Sequence, residues 1–187
     1  DDLDVTVNRL VNNAGFGSYG RFSQLPIEQQ LAMIDLNVRA LVALTGHYLP
    51  LRIERGRGEI IHVASTTSFQ PVPYMAVYGA TKAFVLSFSE AIAHESKDTG
   101  VRVLAACPGH TPTEFDQVSG ADQRPVRTAS QSATAVVEET LAALDGSDAF
   151  TVVTGTPNKL TTQLPRLLPR RLFGTLVERA FRPRGRW

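Results

Sequence analysis

Short apolar segments rich in β-branched residues alternate along this chain with longer segments of helical periodicity. The apolar segments predict strands at residues 9–13, 59–64, 101–106 and 150–154. The periodic segments predict helices at residues 26–55, 76–96 and 130–144. Strands joined by crossover helices form a mostly parallel sheet with helices on both faces. The chain is therefore predicted to be an α/β protein whose ligand site lies at the carboxyl ends of its strands.

The scarce residue types exclude several classes of protein. Cys107 is the one cysteine and the four histidines are scattered, so we expect neither a disulfide framework nor a metal site. No uninterrupted apolar run reaches the length of a membrane span, and the N-terminus has no signal-peptide pattern. We therefore expect a cytoplasmic protein with a small-molecule ligand and no nucleic-acid partner.

Residues 157–187 form a basic tail that differs in charge from the rest of the chain. They contain eight Lys and Arg against one acid, Glu178, whereas residues 1–156 contain 11 basic and 17 acidic residues. Pro165 and Pro169 interrupt a leucine-rich pattern, which favours two short helices joined by a bend. Three interpretations remain open: a lid over the substrate pocket, contact with an anionic membrane surface, and a solvated helix with its arginines outside.

Tyr78 and Lys82 are the most informative pair of residues. They are four positions apart in a predicted helix and share one face, so the ammonium can approach the phenol. A nearby cation favours phenolate and lowers the phenol pKa from its ordinary value of about 10. The pair therefore suits a general acid or base, although the same spacing also occurs by chance in many helices.

Three further polar positions fall at strand ends or within an otherwise apolar helix. Ser65 follows the strand at 59–64, Asn12 and Asn13 end the first strand, and Asn37 interrupts the apolar stripe of the first helix. A hydroxyl at the Ser65 position can hydrogen-bond a polarised carbonyl oxygen in the crevice. Each position also has a structural explanation: a turn serine, asparagines that tie a loop to a strand, and a surface or kinked helix position.

Together these motifs resemble the short-chain dehydrogenase/reductase family. That family has Asn-Asn-Ala-Gly after a strand, a helix asparagine, a strand-end serine ahead of Tyr-x-x-x-Lys, and Pro-Gly followed by threonine. The matching residues are 12–15, Asn37, Ser65, Tyr78, Lys82, Pro108, Gly109 and Thr113. The resemblance, strong over residues 9–156, implies a Rossmann-type, doubly wound sheet. It also implies an NAD(P)-dependent oxidoreductase acting on an alcohol or ketone.

The resemblance assigns a role to each matching position. Tyr78 would be the general acid or base, Lys82 would lower its pKa and hydrogen-bond the nicotinamide ribose, and Ser65 would polarise the substrate oxygen. Asn37 would hold a water that relays protons from Lys82 to solvent. The cofactor-binding residues are expected to be Asn13, Ala14, Gly15, Tyr78, Lys82, Pro108, Gly109, Thr111 and Thr113.

One family feature is missing from this chain. Residues 1–8 have no counterpart of the glycine-rich turn that binds the pyrophosphate, so residues 1–156 are expected to be the C-terminal part of a catalytic domain, N-terminally incomplete. The residue that selects NAD or NADP would lie in the missing part, so either cofactor is compatible with the sequence. A truncated, non-catalytic module with an interaction or regulatory role is the alternative interpretation.

Two expectations concern the pocket and the assembly. The apolar residues expected to border the pocket indicate a lipophilic substrate; they are Phe69, Val72, Tyr74, Phe115 and Val118. The two long helices are apolar on more than one face, and the equivalent helices in the family form a dimer contact. We therefore expect a homodimer or a homotetramer.

Overall fold

A parallel sheet organises the computed structural model of this protein, which describes residues 6–123 and 130–183. Within those residues the sheet has four strands, β1 (Arg9–Asn12), β2 (Gly58–Val63), β3 (Val101–Cys107) and β4 (Thr151–Val153). Their spatial order follows the chain, and each neighbouring pair is parallel. The predicted parallel α/β sheet of Rossmann type is confirmed.

The long helices are close to their predicted bounds. α1 (Ile27–Ile34) runs through a π-helical turn (Asp35–Ala40) into α2 (Leu41–Arg55), where one continuous α-helix was predicted. After β2 comes α3 (Ala76–Ser96), and the short α4 (Phe115–Ser119) follows β3. α5 (Ala133–Gly146) starts later than predicted because Ser132 is its N-cap, with a hydroxyl that accepts from Ala135 N–H.

Both faces of the sheet are covered by helices, as the alternation predicts. On one face, Ile60 and Val103 pack with Ala93 of α3. On the other, Ile61 and Leu104 pack with Leu144 of α5. Side chains of successive strand residues point to opposite faces, so a strand covered on both sides must be apolar throughout. This requirement explains why β2 and β3 are nearly continuous apolar runs.

Up to residue 183, where its description ends, the basic tail folds into three short helices rather than the two predicted. They are α6 (Thr156–Thr161), α7 (Leu164–Leu167) and α8 (Arg170–Phe181). Pro165 lies in the first turn of α7, and Pro169 is the N-cap of α8. Proline is compatible with these positions because the first N–H groups of a helix have no partner within it. Each of the two prolines therefore lies at the start of a helix and does not interrupt one. In the described ranges, no helix has the length and apolar character to cross a bilayer.

Candidate active site

The residues selected from the sequence gather at the carboxyl edge of the sheet. The residues that follow the strands are Asn13, Ala14 and Gly15 after β1, Ser65 after β2, and Pro108 and Gly109 after β3. Tyr78 and Lys82 lie in the first two turns of α3, and both are buried. Parallel strands end at the same edge, so three loops and one helix converge there.

Asn37 ties the loop after β1 to α3. Its Oδ1 accepts from Phe16 N–H at 3.1 Å, and its Nδ2 donates to the Phe16 carbonyl at 2.9 Å and to Thr81 Oγ1 at 3.1 Å. Asn37 is 2% exposed and lies in the π-helical turn, a local widening that often occurs at functional sites. Both amide hydrogens have acceptors, and Oδ1, which accepts one bond from Phe16, has a second lone pair that a water could use.

Gly15 lies where this loop approaches Asn37 and Lys82. A Cβ atom at Gly15 would lie 2.8 Å from Asn37 Oδ1 and 3.6 Å from Lys82 Nζ. Any larger residue would therefore push the loop away from the asparagine. Asn13, Ala14 and Gly15 are exposed residues, which leaves room beside the Lys82 ammonium for a flat ligand.

The Lys82 ammonium is buried against the end of β2. Its Nζ donates to the Val63 carbonyl at 2.6 Å, and the residue is 7% exposed. Burial lowers its pKa from 10.5 to about 8, because the charged form loses solvation. Lys82 therefore remains mostly protonated at neutral pH and can release its proton in a mildly alkaline medium.

Ser65 caps the 3-10 turn that follows β2 (Thr66–Phe69). Its Oγ accepts from Thr67 N–H at 3.1 Å, and within the described ranges its own O–H has no protein acceptor. Ser68, which the sequence prediction missed, accepts from Ser65 N–H and donates to the Lys82 carbonyl at 2.8 Å. The Ser-x-x-Ser spacing of a capping box was the available signal for it.

The Tyr78 ring forms an aromatic contact with α4. Its centroid lies 5.2 Å from that of Phe115, with the rings tilted by 49°. Gly17 permits this packing, since a Cβ there would lie 2.8 Å from Phe115 Cζ and 3.3 Å from Tyr78 Cδ2. Phe115 and Val72 share a cluster with Tyr78, and Phe69 packs against Leu41 and Val85.

The segment after β3 closes the site from the far side. The Pro108 carbonyl accepts from Thr66 N–H at 2.9 Å, and Asn158 of α6 packs so closely on Gly109 that no Cβ fits there. Thr111 Oγ1 donates to the Gly109 carbonyl at 3.3 Å, and Thr113 Oγ1 accepts from Phe115 N–H at 3.3 Å.

His110, which was treated as one of the scattered histidines, belongs to this segment. Its Nε2 lies 2.6 Å from Asp116 Oδ2, so the pair fastens the segment to α4. Within the described residues, no group of three or more histidine, cysteine and acidic side chains is arranged to hold a metal ion.

Comparison with known proteins agrees with this geometry. The sequence model of the short chain dehydrogenase family matches residues 3–124. Sulfoacetaldehyde reductase 2 from Chromohalobacter salexigens is 40% identical over 120 residues, which are 63% of this chain and 48% of that protein. The chain thus spans about half the length of this relative.

Solved structures give the same answer. A 7β-hydroxysteroid dehydrogenase superposes with a TM-score of 0.78 at 27% identity, over 91% of this chain and 66% of that one. A short-chain dehydrogenase from Sphingobium yanoikuyae in complex with NADPH gives 0.75 at 29% identity, over 88% and 65%. With a family match that covers more than half of its residues, the chain belongs to the short-chain dehydrogenase family.

Proposed function

We propose that the complete protein is an NAD(P)-dependent oxidoreductase that interconverts a lipophilic alcohol and ketone. The observation that carries this proposal is the convergence of Ser65, Tyr78 and Lys82 at one sheet edge, beside a loop held by Asn37. An intact set of polar side chains at this edge favours an enzyme over a non-catalytic module.

Each polar side chain has a distinct part in the proposed reaction. Tyr78 donates a proton to the substrate oxygen during reduction and accepts it during oxidation. Lys82 has a pKa of about 8 and is mostly protonated at neutral pH. Its positive charge favours the phenolate form of Tyr78. Ser65 has an O–H available to hydrogen-bond and polarise the same substrate oxygen.

The residues present fit the nicotinamide end of a dinucleotide. Lys82 and the exposed residues Asn13, Ala14 and Gly15 would hold the ribose, and the small residue Gly15 leaves the space. Pro108, Gly109, Thr111 and Thr113 would lie against the nicotinamide. The cofactor would supply the hydride. NAD and NADP both remain compatible with these residues.

The pocket chemistry supports a lipophilic substrate. Tyr78 shares its cluster with apolar and aromatic side chains, among them Val72, Met75 and Phe115. The similarity to a 7β-hydroxysteroid dehydrogenase, an enzyme named for a bulky apolar substrate, points in the same direction.

Turnover by the complete protein tests this function. Reduction of a panel of lipophilic ketones with NADH and with NADPH should give turnover with at least one pair. Tyr78→Phe should lower kcat by roughly 10²–10⁴-fold and leave the cofactor Kd nearly unchanged, since only the transferred proton is lost. Tyr48→Phe, which alters a tyrosine beside Arg52, is the matched control. Turnover of Tyr78→Phe at the wild-type rate would contradict the assignment.

We also propose a homodimer or a homotetramer that buries the outer faces of the long helices. An apolar groove of about 510 Å³ runs between α1 and α3, lined by Phe22, Ile34, Val38, Ala76, Val77, Ala80, Thr81 and Phe84. Phe22 and Phe84 are exposed, which favours burial against a second copy. Light scattering of the complete protein should give a mass above that of the monomer at micromolar concentration.

The tail has two proposed roles in a cytoplasmic enzyme. Val177 of α8 is buried and Phe181 joins the cluster of Tyr78, so this face of the helix is proposed as a lid. The opposite side exposes Leu172 and Leu176 among arginines, which suits peripheral contact with an anionic membrane surface.

A further inference from the structure

Tyr74 has a backbone conformation that usually requires glycine. Its φ is +66°, and the other described residues with a clearly positive φ are all glycines. A side chain in this left-handed region is strained, because its Cβ lies too close to the following carbonyl oxygen. Such strain persists only where surrounding contacts offset it, and it often marks a functional position.

The side chain of Tyr74 reaches α8 across the surface. Its hydroxyl donates to Glu178 Oε1 at 2.8 Å, a bond that we call the latch. Arg182 donates to the same carboxylate from Nε at 2.9 Å and from Nη2 at 3.1 Å. The bonds from Arg182 and Tyr74 hold the pKa of Glu178 below its ordinary value, so the carboxylate is charged at neutral pH.

A second tyrosine forms a hydrogen bond with α8 close to the latch. Tyr19, whose ring centroid lies 6.5 Å from that of Tyr74, donates its hydroxyl to the Phe181 carbonyl at 2.6 Å. The loop of Tyr19 is itself bound to Tyr74, because Gly20 N–H donates to the Tyr74 carbonyl at 2.8 Å. Two loops therefore fix the C-terminal turns of α8 at adjacent points.

The latch connects α8 to the start of α3. Tyr74 lies two residues before Ala76, which begins the helix that carries Tyr78. Phe181, at the other end of the connection, packs in one cluster with Tyr78 and Met75. A movement of α8 away from Tyr74 would therefore remove an apolar side chain from the surroundings of Tyr78.

We propose that Tyr74 is a positioning residue that latches α8 over the substrate pocket and thereby sets affinity for the substrate. This inference rests on the proposed oxidoreductase function, since the pocket is the one beside Tyr78. The latch offsets the strained backbone of Tyr74, and its loss lets α8 move outward. The effect falls on KM, because Tyr74 holds a wall of the pocket and takes no part in proton transfer.

Two substitutions separate the latch from a merely structural role. Tyr74→Phe keeps the ring and the strain but removes the hydroxyl; Tyr74→Gly removes both the hydroxyl and the strain. In the complete protein, both should raise KM for a lipophilic ketone roughly three- to tenfold, with kcat within about twofold of wild type. Thermal stability should fall in Tyr74→Phe and recover in Tyr74→Gly, because glycine adopts the left-handed conformation freely. If Tyr74 had only a structural role, KM would follow stability, so the KM of Tyr74→Gly would also return toward the wild-type value.

Glu178→Ala and hydrogen exchange complete the experiment. The KM effects of Tyr74→Phe and Glu178→Ala should be non-additive in the double variant, since both remove the same bond. Amide exchange in residues 170–181 should accelerate in Tyr74→Phe and stay unchanged in the control Tyr48→Phe. Unchanged exchange, or faster exchange with an unchanged KM, would overturn the proposal. If the wild-type protein shows no turnover, the oxidoreductase function fails, and the exchange measurement still decides whether the latch exists.

Discussion

The side chain of Asn37 binds both polar groups of the Phe16 backbone, the N–H at 3.1 Å and the carbonyl at 2.9 Å. A neighbouring strand would also bind both the N–H and the carbonyl of one residue, and here the side-chain amide of Asn37 takes that place. Asn37 is able to make it because it is buried in the π-helical turn that faces the loop after β1. The loop that is proposed to hold the ribose therefore depends on a residue of the helical crossover that follows it.

Asn37→Ala should destabilise the protein by about 1–3 kcal/mol, because it removes the partner of two partly buried backbone groups of Phe16. Asn37→Asp, the matched control for side-chain shape, keeps the acceptor for Phe16 N–H and loses the donor to its carbonyl. Denaturant unfolding and the cofactor Kd of the complete protein measure the two effects. An Asn37→Ala variant with wild-type stability would show that the loop is held by other contacts.

His62 is a buried titratable group that lies outside the candidate site. Its ring nitrogens lie 3.0 Å from Thr45 Oγ1 and 2.8 Å from Ser89 Oγ, and Asn12 donates to the same threonine at 3.3 Å. Desolvation lowers the pKa of His62 from 6.5 to about 4. The network therefore joins the end of β1 to β2 and α3 around a neutral imidazole.

His62 should make the protein sensitive to acid. Between pH 6.5 and pH 4 the unfolded state binds a proton that the folded state does not, so the free energy of unfolding falls as the pH falls through this range. The loss attributable to His62 is about 3 kcal/mol. His62→Asn should lose less stability than wild type over that range, as measured by denaturant unfolding. His47→Asn, at an exposed position of α2, serves as the control. Parallel pH profiles for His62→Asn and wild type would contradict the prediction.

Lys82 should produce a dependence of the same sign at alkaline pH. Its folded pKa of about 8 lies below the ordinary 10.5, so the unfolded state binds more protons between these values and the free energy of unfolding rises with pH. Relative to Lys82→Met, the cofactor-free wild-type protein should gain about 3 kcal/mol between pH 8 and pH 10.5. Lys159→Met, at an exposed lysine, is the control. A constant difference between wild type and Lys82→Met would show that the ammonium is not buried.

Much of the fold could be predicted because it depends on local patterns. β2 and β3 were recognisable as continuous apolar runs, and α3 as a long periodic segment that ends before Gly100. The order of these elements then determined where the site residues had to meet. For this reason Ser65, Tyr78 and Lys82 could be placed at one edge from the sequence alone.

The features that the sequence did not reveal arise from tertiary contacts. The π-helical turn at Asp35–Ala40 has ordinary helix-forming residues, and its widening accompanies the bonds of Asn37 to Phe16 and Thr81. His62 looked like a lone polar residue of a strand, because its partners are 17 and 27 positions away. Tyr74 gave no sign of a left-handed backbone, since that signal is normally a glycine.

The exposed leucines of the basic tail lead to a prediction about membrane contact. Leu160, Leu167, Leu172 and Leu176 are exposed by 69%, 77%, 50% and 47%, and basic residues flank them. An anionic lipid surface attracts such a segment by about 1 kcal/mol for each basic residue close to it, while exposed leucines enter the interface. The complete protein should therefore co-sediment with vesicles that contain anionic phospholipid and not with neutral ones.

Leu172→Asp combined with Leu176→Asp should weaken vesicle binding by roughly tenfold or more, because it replaces apolar contact with like charge at the anionic surface. Neither substitution touches Val177, Glu178 or Phe181, which form the inner face of α8, so the KM for substrate should change little. Val137→Asp, at an exposed apolar position of α5, is the matched control and should bind vesicles like wild type. About 1 M salt should release the wild-type protein, since it shortens the Debye length to about 3 Å. Equal binding by the double variant and the wild-type protein would contradict membrane contact through the tail.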